Sequence, residues 1–145
     1  MDYKIFGLAT ERDYQNYNGD CPYHLTNFEE KYYLIDELPD INSIHQIITR
    51  ATITDYKLNK NKHRPLVIIQ GELDFQLLYS TTAAGQSIHT GSFSKKILTY
   101  VEIPVNYGEF KIQSVHLLQE DLALNLVHCR KFEVLFLVFS YIQIL

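Results

Sequence analysis

Four groups of residues in this 145-residue chain have the types and spacing that chemistry requires. Ser87 and His89 stand two apart, directly behind Gln86, so on an extended backbone their side chains share a face. A histidine so placed could orient a ligand or switch with pH. It could serve a serine nucleophile only with a strained elbow or a base held by a third group, and neither is visible. The plainer role for Gln86, Ser87 and His89 is to stabilise the turn that precedes them. Glu72 and Asp74 also share a strand face, and paired carboxylates can do acid and base work, or can simply be the wet side of a sheet. Cys21-Pro22-Tyr23-His24 has C-x-x-H spacing suited to two zinc ligands, and His128-Cys129 offers two more. Adjacent strand residues point to opposite faces, however, so His128 and Cys129 do not easily bind one ion together. The six glycines are scattered and form no phosphate-binding loop. No catalytic residue, metal or cofactor is expected.

Most of these residues sit on strands, while NGDCP around Cys21 reads as an exposed turn. Pro65 to Tyr79, PLVIIQGELDFQLLY, alternates with a period of two. Val67, Ile69, Gly71, Leu73, Phe75, Leu77 and Tyr79 fall on a mostly apolar face, and Ile68, Gln70, Glu72, Asp74, Gln76 and Leu78 on a mostly polar one. Gly71 interrupts the apolar face where a bulge or a closely packed neighbour would be admitted. Ile47, Thr49, Ala51 and Ile53 mark a strand before it, and NKNKHRP reads as the connecting loop. STTAAGQSIH is a small-residue turn, KILTYVEIPV another strand, and Asn106 to Gly108 a turn. FKIQSVHLL changes parity near Ser114, as at a bulge, and DLALNLVH and FEVLFLVFSYIQIL supply the last two strands. No sustained helical period appears, so the fold class is all-β, an antiparallel β-sandwich or flattened barrel. Val134 to Leu145 carries no charge and is too short to span a bilayer, which takes about 20 residues as a helix. It is either a central strand covered on both faces or an edge awaiting another chain.

Residues 1–40 differ from residues 41–145. They hold six of the eleven tyrosines and a net charge of −6, against +2 for the remainder. Their apolar residues are sparse, as in an irregular N-terminal arm. Such an arm could pack on its own domain or on a neighbour's. Tyrosines bury much area at little rotamer cost, so they suit an interface, and equally a sugar-binding platform. Interface tyrosines would cluster on the arm and edge strands, whereas sugar binders would form one flat exposed row. An overall charge of −4 argues against a nucleic-acid binder. The N-terminus lacks the basic and apolar regions of a signal peptide, which points to a protein made in the cytosol. Cys21 and Cys129 are then free thiols, or form bonds between chains in an assembly that later meets oxidant.

Residues 65–104 resemble the SPOCS domain of spore-coat and spore-morphogenesis proteins. The resemblance rests on Gly71, Leu73, Tyr79, the run Gln86-Ser87-Ile88-His89, Phe93, Tyr100 and Pro104. INSIHQIITRATITDYKL resembles the strand that precedes this core, and Arg130-Lys131-Phe132 its closing segment, so coverage extends over about residues 41–140. Lys96-Ile97 departs from the Pro-Phe that the family tends to have after Phe93, and no peptidoglycan-binding LysM module accompanies the domain within these residues. The resemblance implies a non-enzymatic structural or interaction protein, made in the mother-cell cytosol and bound for the spore coat or outer spore surface. Its partners would be copies of itself, in an oligomer, fibre or layer, or other spore-envelope proteins, joined by β-strand addition. Candidate interface residues are Tyr14, Tyr17, Tyr32 and Tyr33 on the arm, and Phe136, Val138, Ser140 and Ile142 on the last strand. A module binding cortex or surface glycans is the alternative.

Overall fold

The apolar alternation of Pro65–Tyr79 needs a second apolar layer, and the last strand provides it. In a computed structural model, which describes residues 3–60, 63–81, 87–104 and 108–145, seven strands form two sheets packed as a sandwich. They are β1 (Lys4–Phe6), β2 (Tyr23–Tyr33), β3 (Ser43–Asn59), β4 (Leu66–Ser80), β5 (Ile88–Glu102), β6 (Ile112–His128) and β7 (Lys131–Ile144). One sheet has the order β1-β3-β4-β5 and the other β2-β7-β6. A 3₁₀ turn at Glu11–Tyr14 is the only helical element among the described residues.

The inward face of β4 is buried as its pattern requires: Val67, Ile69, Leu73, Phe75, Leu77 and Tyr79 are all at most 2% exposed. Phe132, Val134, Phe136 and Val138 of β7 meet it in one core cluster. A smaller cluster at one end joins Val67, Ile69, Val101, Ile103 and Ile142. Gly71 sits where a Cβ would come within 2.7 Å of Leu117 and 3.0 Å of the Thr52 carbonyl. Opposite it, β3 carries a bulge between Ile53 and Asp55, so both features admitted by the glycine are present.

Two sequence boundaries differ from the fold. FKIQSVHLL and DLALNLVH are one strand, β6, in which the expected break is a bulge between Gln119 and Asp121. The bulge switches parity, so Leu117 and Gln119 before it and Leu122 and Leu124 after it all point inward. The bulge read near Ser114 is present as a register shift between Ile112 and Ser114. The N-terminal segment is also more regular than an irregular arm. Its Tyr23–Tyr33 stretch pairs along its whole length with β7, and its Lys4–Phe6 stretch pairs with β3. The irregularity is confined to the chain between them and to the connection that follows Tyr33. β2 is hard to read because its inward positions, His24, Thr26, Phe28, Glu30 and Tyr32, are half polar, as an edge strand at the rim of a core allows.

Replacing Gly71 by Val forces Leu117 or the β3 backbone to move. Overpacking of this kind costs about 1–3 kcal/mol. The expected result is a lower urea midpoint with an unchanged slope, and an unchanged midpoint would contradict the packing at this site.

Candidate functional site

The residues that could do chemistry are distributed over the sandwich and do not converge. Ser87 and His89 lie at the start of β5, with the Ser87 Oγ 3.0 Å from His89 Nε2 and the Tyr79 ring 5.8 Å from the imidazole. Gln86, proposed beside them, lies outside the described residues. Glu72 and Asp74 face away from the core, and the register sets each opposite a cation, Lys96 across from Glu72 and Arg50 across from Asp74. Cross-strand charge pairs of this kind stabilise a wet sheet face and leave no base beside an acid. Cys21 and His24 lie near the Tyr23–Tyr141 end of the β2/β7 ladder, and His128 and Cys129 beyond its Lys131–Tyr33 end. The four zinc-type ligands are therefore separated by the length of a strand. Among the described residues no group of three or more His, Cys, Asp or Glu side chains could hold a metal ion.

A second serine–histidine pair was not singled out in the sequence. Ser114 Oγ lies 2.8 Å from His116 Nε2, and the imidazole stacks on Tyr141 at 4.3 Å between centroids. Ser114 also donates to the Gln143 side-chain carbonyl. A hydroxyl has one proton, so Ser114 faces His116 as an acceptor, the reverse of what an activated nucleophile needs. The third group is an amide rather than a carboxylate. The cluster holds a β6–β7 pair together.

The aromatic residues, by contrast, do converge. Phe139 and Tyr141 alternate with the core residues of β7 and so point away from the sandwich, yet they are 8% and 0% exposed. Tyr14 and Tyr17, on the chain between β1 and β2, cover them. Tyr17 meets Phe139 and Tyr141 edge-on, each at 5.2 Å, and Tyr14 packs on Phe139 at 5.8 Å. The Tyr14 hydroxyl donates to Glu120 at 2.5 Å, the Tyr141 hydroxyl to the Asp13 carbonyl at 3.4 Å, and the Gln143 amide to the Asn16 carbonyl at 3.0 Å. Burial first, and then the Glu120 carboxylate, hold the Tyr14 phenol well above its ordinary range.

Tyr32 lies on the inner side of β2, among Phe75, Phe93 and Phe132 with centroid distances of 5.2–5.5 Å, where burial and then Glu30 push its pKa up to about 12. Beside it Lys95 of β5 donates to Glu30 at 2.9 Å and lowers the carboxyl's pKa. These contacts join the edges of the two sheets on one side of the sandwich. Tyr33 is exposed at the end of β2, with the Lys131 ammonium 5.1 Å from its ring centroid. Phe136, Val138, Ser140 and Ile142 are fully buried in β7, which is paired on both sides. The last strand is thus the central strand of its sheet and has no free edge to offer. Among the described residues the exposed tyrosines do not form one row: Tyr23 and Tyr33 stand at opposite ends of β2, Tyr56 on β3 and Tyr100 on β5.

Arg130, known from the sequence only as part of a closing segment, is the hub of the β6–β7 turn. Its guanidinium donates to the carbonyls of Leu38 and Ile35 and, at 2.7 Å, to Asp40, whose carboxyl it holds below the usual range. Three donors in a fixed fork are what a turn carbonyl cluster requires. No local sequence signal identifies such a contact, since Arg130 and Asp40 are 90 residues apart. Cys129 is exposed next to this turn, and Cys21 is half-buried at the other end of β2.

The fold and surface define a class: an all-β sandwich whose polar clusters lie apart from one another and whose N-terminal segment packs on the aromatic residues of β7. The chain belongs to the SipL SPOCS-domain family, whose model matches residues 40–127, and the SPOCS domain is associated with spore-coat proteins. No curated protein and no solved structure matches the chain. No helix of the described residues is long and apolar enough to cross a membrane. The matched span contains β3 to β6 but neither β2 nor β7, so the second sheet is completed by residues on either side of the match.

The buried phenols fix a pH response. The pKa values of Tyr14, Tyr17, Tyr32, Tyr79 and Tyr141 are all raised. In the unfolded chain these groups release their protons near pH 10, while the fold keeps them protonated. Stability is therefore fully present below about pH 10 and falls as the pH rises toward the folded-state pKa values. Urea midpoints measured between pH 8 and 11.5 should decline above pH 10, with a smaller decline for Tyr32→Phe. A flat profile would contradict the burial of these hydroxyls.

Proposed function

We propose that this chain is a non-enzymatic structural protein of the bacterial spore envelope, made in the mother-cell cytosol, which associates with copies of itself or with other coat proteins by β-strand addition. The observation that carries this reading is the edge at β5. Over its fifteen residues, Ile88 to Glu102, β5 pairs with β4 alone, and no strand lies on its other side among the described residues. An unpaired row of backbone donors and acceptors is a template for another strand. Side chains blunt it at two places: in its middle Lys95 turns toward Glu30 and the Tyr32 hydroxyl reaches the Ser94 carbonyl at 3.5 Å, and nearer its Glu102 end the His24 ring of β2 stacks on Tyr100 at 4.6 Å. Toward the Glu102 end Leu98 is 63% and Tyr100 42% exposed, and these side chains would pack against an added strand's neighbours.

Membership in a family associated with spore-coat proteins supplies the setting. The alternative of a glycan-binding module lacks the flat aromatic row that such binding favours. Light scattering after size exclusion, over a concentration series, tests the reading. The full chain should form species larger than a monomer, and the exposed β5 changes Ser92→Lys and Leu98→Lys should lower their fraction severalfold, because edge lysines resist pairing. A monomer at every concentration overturns self-association. Assembly unaffected by the lysines overturns the β5 edge as its site.

A further inference from the structure

Residues 3–17 are fastened by short pairing and by side chains rather than by a long ladder. β1 pairs with β3 in parallel over three residues only, from Lys4 opposite Gln46 to Phe6 opposite Ile48. The segment fills the side of the sandwich where β3 and β6 belong to different sheets and are joined directly by the hydrogen bond from Thr49 Oγ1 to Gln119 Oε1 at 2.7 Å. Tyr3, Ile5 and Leu8 pack there against the main core. Leu124 N–H donates to the Tyr3 hydroxyl at 3.0 Å, and Ala9 N–H to the Gln119 carbonyl at 2.8 Å. Gly7, at φ +99°, lies so near β3 that a Cβ would fall 1.9 Å from the Thr49 carbonyl. Tyr14 and Tyr17 then seat on Phe139 and Tyr141.

Apart from the edge contact of Tyr17 with Tyr23, all these partners lie on β3, β6 and β7, strands that begin at Ser43. The segment's covalent link to them runs through an exposed turn at residues 18–21. That turn is held by Cys21 N–H donating to the Asn18 carbonyl at 3.1 Å, and by Asp20 N–H donating to the Asn18 side chain at 2.9 Å. A Cβ at Gly19 would meet nothing within 4 Å.

We infer that residues 3–17 exchange between copies of this chain, the segment of one copy leaving its own β3/β6 opening and filling that of the next. The inference rests on the self-association reading and adds to it a second contact between copies, at the β3/β6 side of the sandwich rather than at the β5 edge. Exchange costs little in contacts, because the neighbour presents the same opening, the same Gln119 carbonyl and the same Phe139–Tyr141 seat. The opening cannot stay empty, since the side chains that fill it belong to the core. What must open is a four-residue turn, a three-residue parallel pairing and the contacts of Tyr3, Ala9, Tyr14 and Tyr17 that re-form on the neighbour, while the ladder of β2 with β7, eleven residues long, stays in place. Reciprocal exchange gives a closed dimer, and onward exchange gives an open chain.

The test is a disulfide placed across the exchanged contact. Phe6 and Ile48 are register partners and both exposed, so Phe6→Cys with Ile48→Cys sets two thiols on neighbouring strands, within bridging reach. Cys21→Ser and Cys129→Ser remove the native thiols. The variant is concentrated, oxidised with diamide and run on a denaturing gel without reductant. Exchange predicts covalently linked dimers and larger species. Internally bridged monomers alone, from protein that light scattering shows to be oligomeric, overturn the exchange and leave self-association standing. Monomers by both measurements overturn both. A second variant guards against loss of folding in the first: deleting Gly19 and Asp20 shortens the turn, which should raise the oligomer fraction severalfold at equal concentration. No rise, in protein with an unchanged β-sheet spectrum, overturns the proposal.

Discussion

The structure depends on the meeting of two strands that are each paired on both sides, β4 in one sheet and β7 in the other. Phe75 is the central contact, with Phe93 stacked at 5.1 Å, Phe136 tilted at 5.9 Å and Phe132 edge-on at 6.2 Å. Burying a side chain of this size is worth about 1.5–3 kcal/mol, and ring pairs add about 0.5–1.5 kcal/mol each. Once β4 and β7 face one another, every other strand is a flank. β3 and β5 extend the first sheet, and β2 and β6 the second, so the two open sides of the sandwich are set by that single stacking.

The open sides are handled differently, and the difference gives the molecule its character. Where β2 meets β5, side chains bridge the edges: Tyr32 enters the aromatic core, and Glu30 takes the Lys95 ammonium. Where β3 meets β6, the chain's own N-terminal segment is laid into the opening. Gln119 marks the seam. It is 2% exposed, its side chain hydrogen-bonds the Thr49 hydroxyl and its backbone carbonyl accepts from Ala9 N–H. A seam closed by single hydrogen bonds of this kind has fewer backbone pairs than a ladder.

Much of this was legible in the residues. The alternation of β4 identified its buried face position by position, and Gly71 marked a close approach that the contact with Leu117 bears out. The all-β sandwich followed from strand spacing, and the SPOCS resemblance from the run centred on β4 and β5. Other features required contacts distant in sequence. β2 alternates polar and apolar residues on its inner face, so periodicity does not separate it from a loop. The break read in β6 is a parity switch, which resembles a strand end when only local pattern is available. Phe139 and Tyr141 look like the solvent face of a half-covered strand until Tyr14 and Tyr17 are placed on them. Glu72, Asp74 and His89 sit on strands as expected and Cys21 in a turn, yet sheet pairing sends the candidate chemical residues to separate faces and ends.

The distribution of the family match over the fold has a further consequence. Residues 40–127 encode β3 to β6, three strands of one sheet and a single flank of the other, while the central strand β7 and the flank β2 come from outside. The matched part alone therefore presents the inner face of β4 without the aromatic layer that covers it. Any boundary drawn at residue 127 would release a sticky half-sandwich, and a chain growing from its N-terminus meets that situation during its own synthesis. Until Phe132 and Phe136 emerge, the early strands have nowhere to hide their apolar rows, so folding of this domain waits on β7.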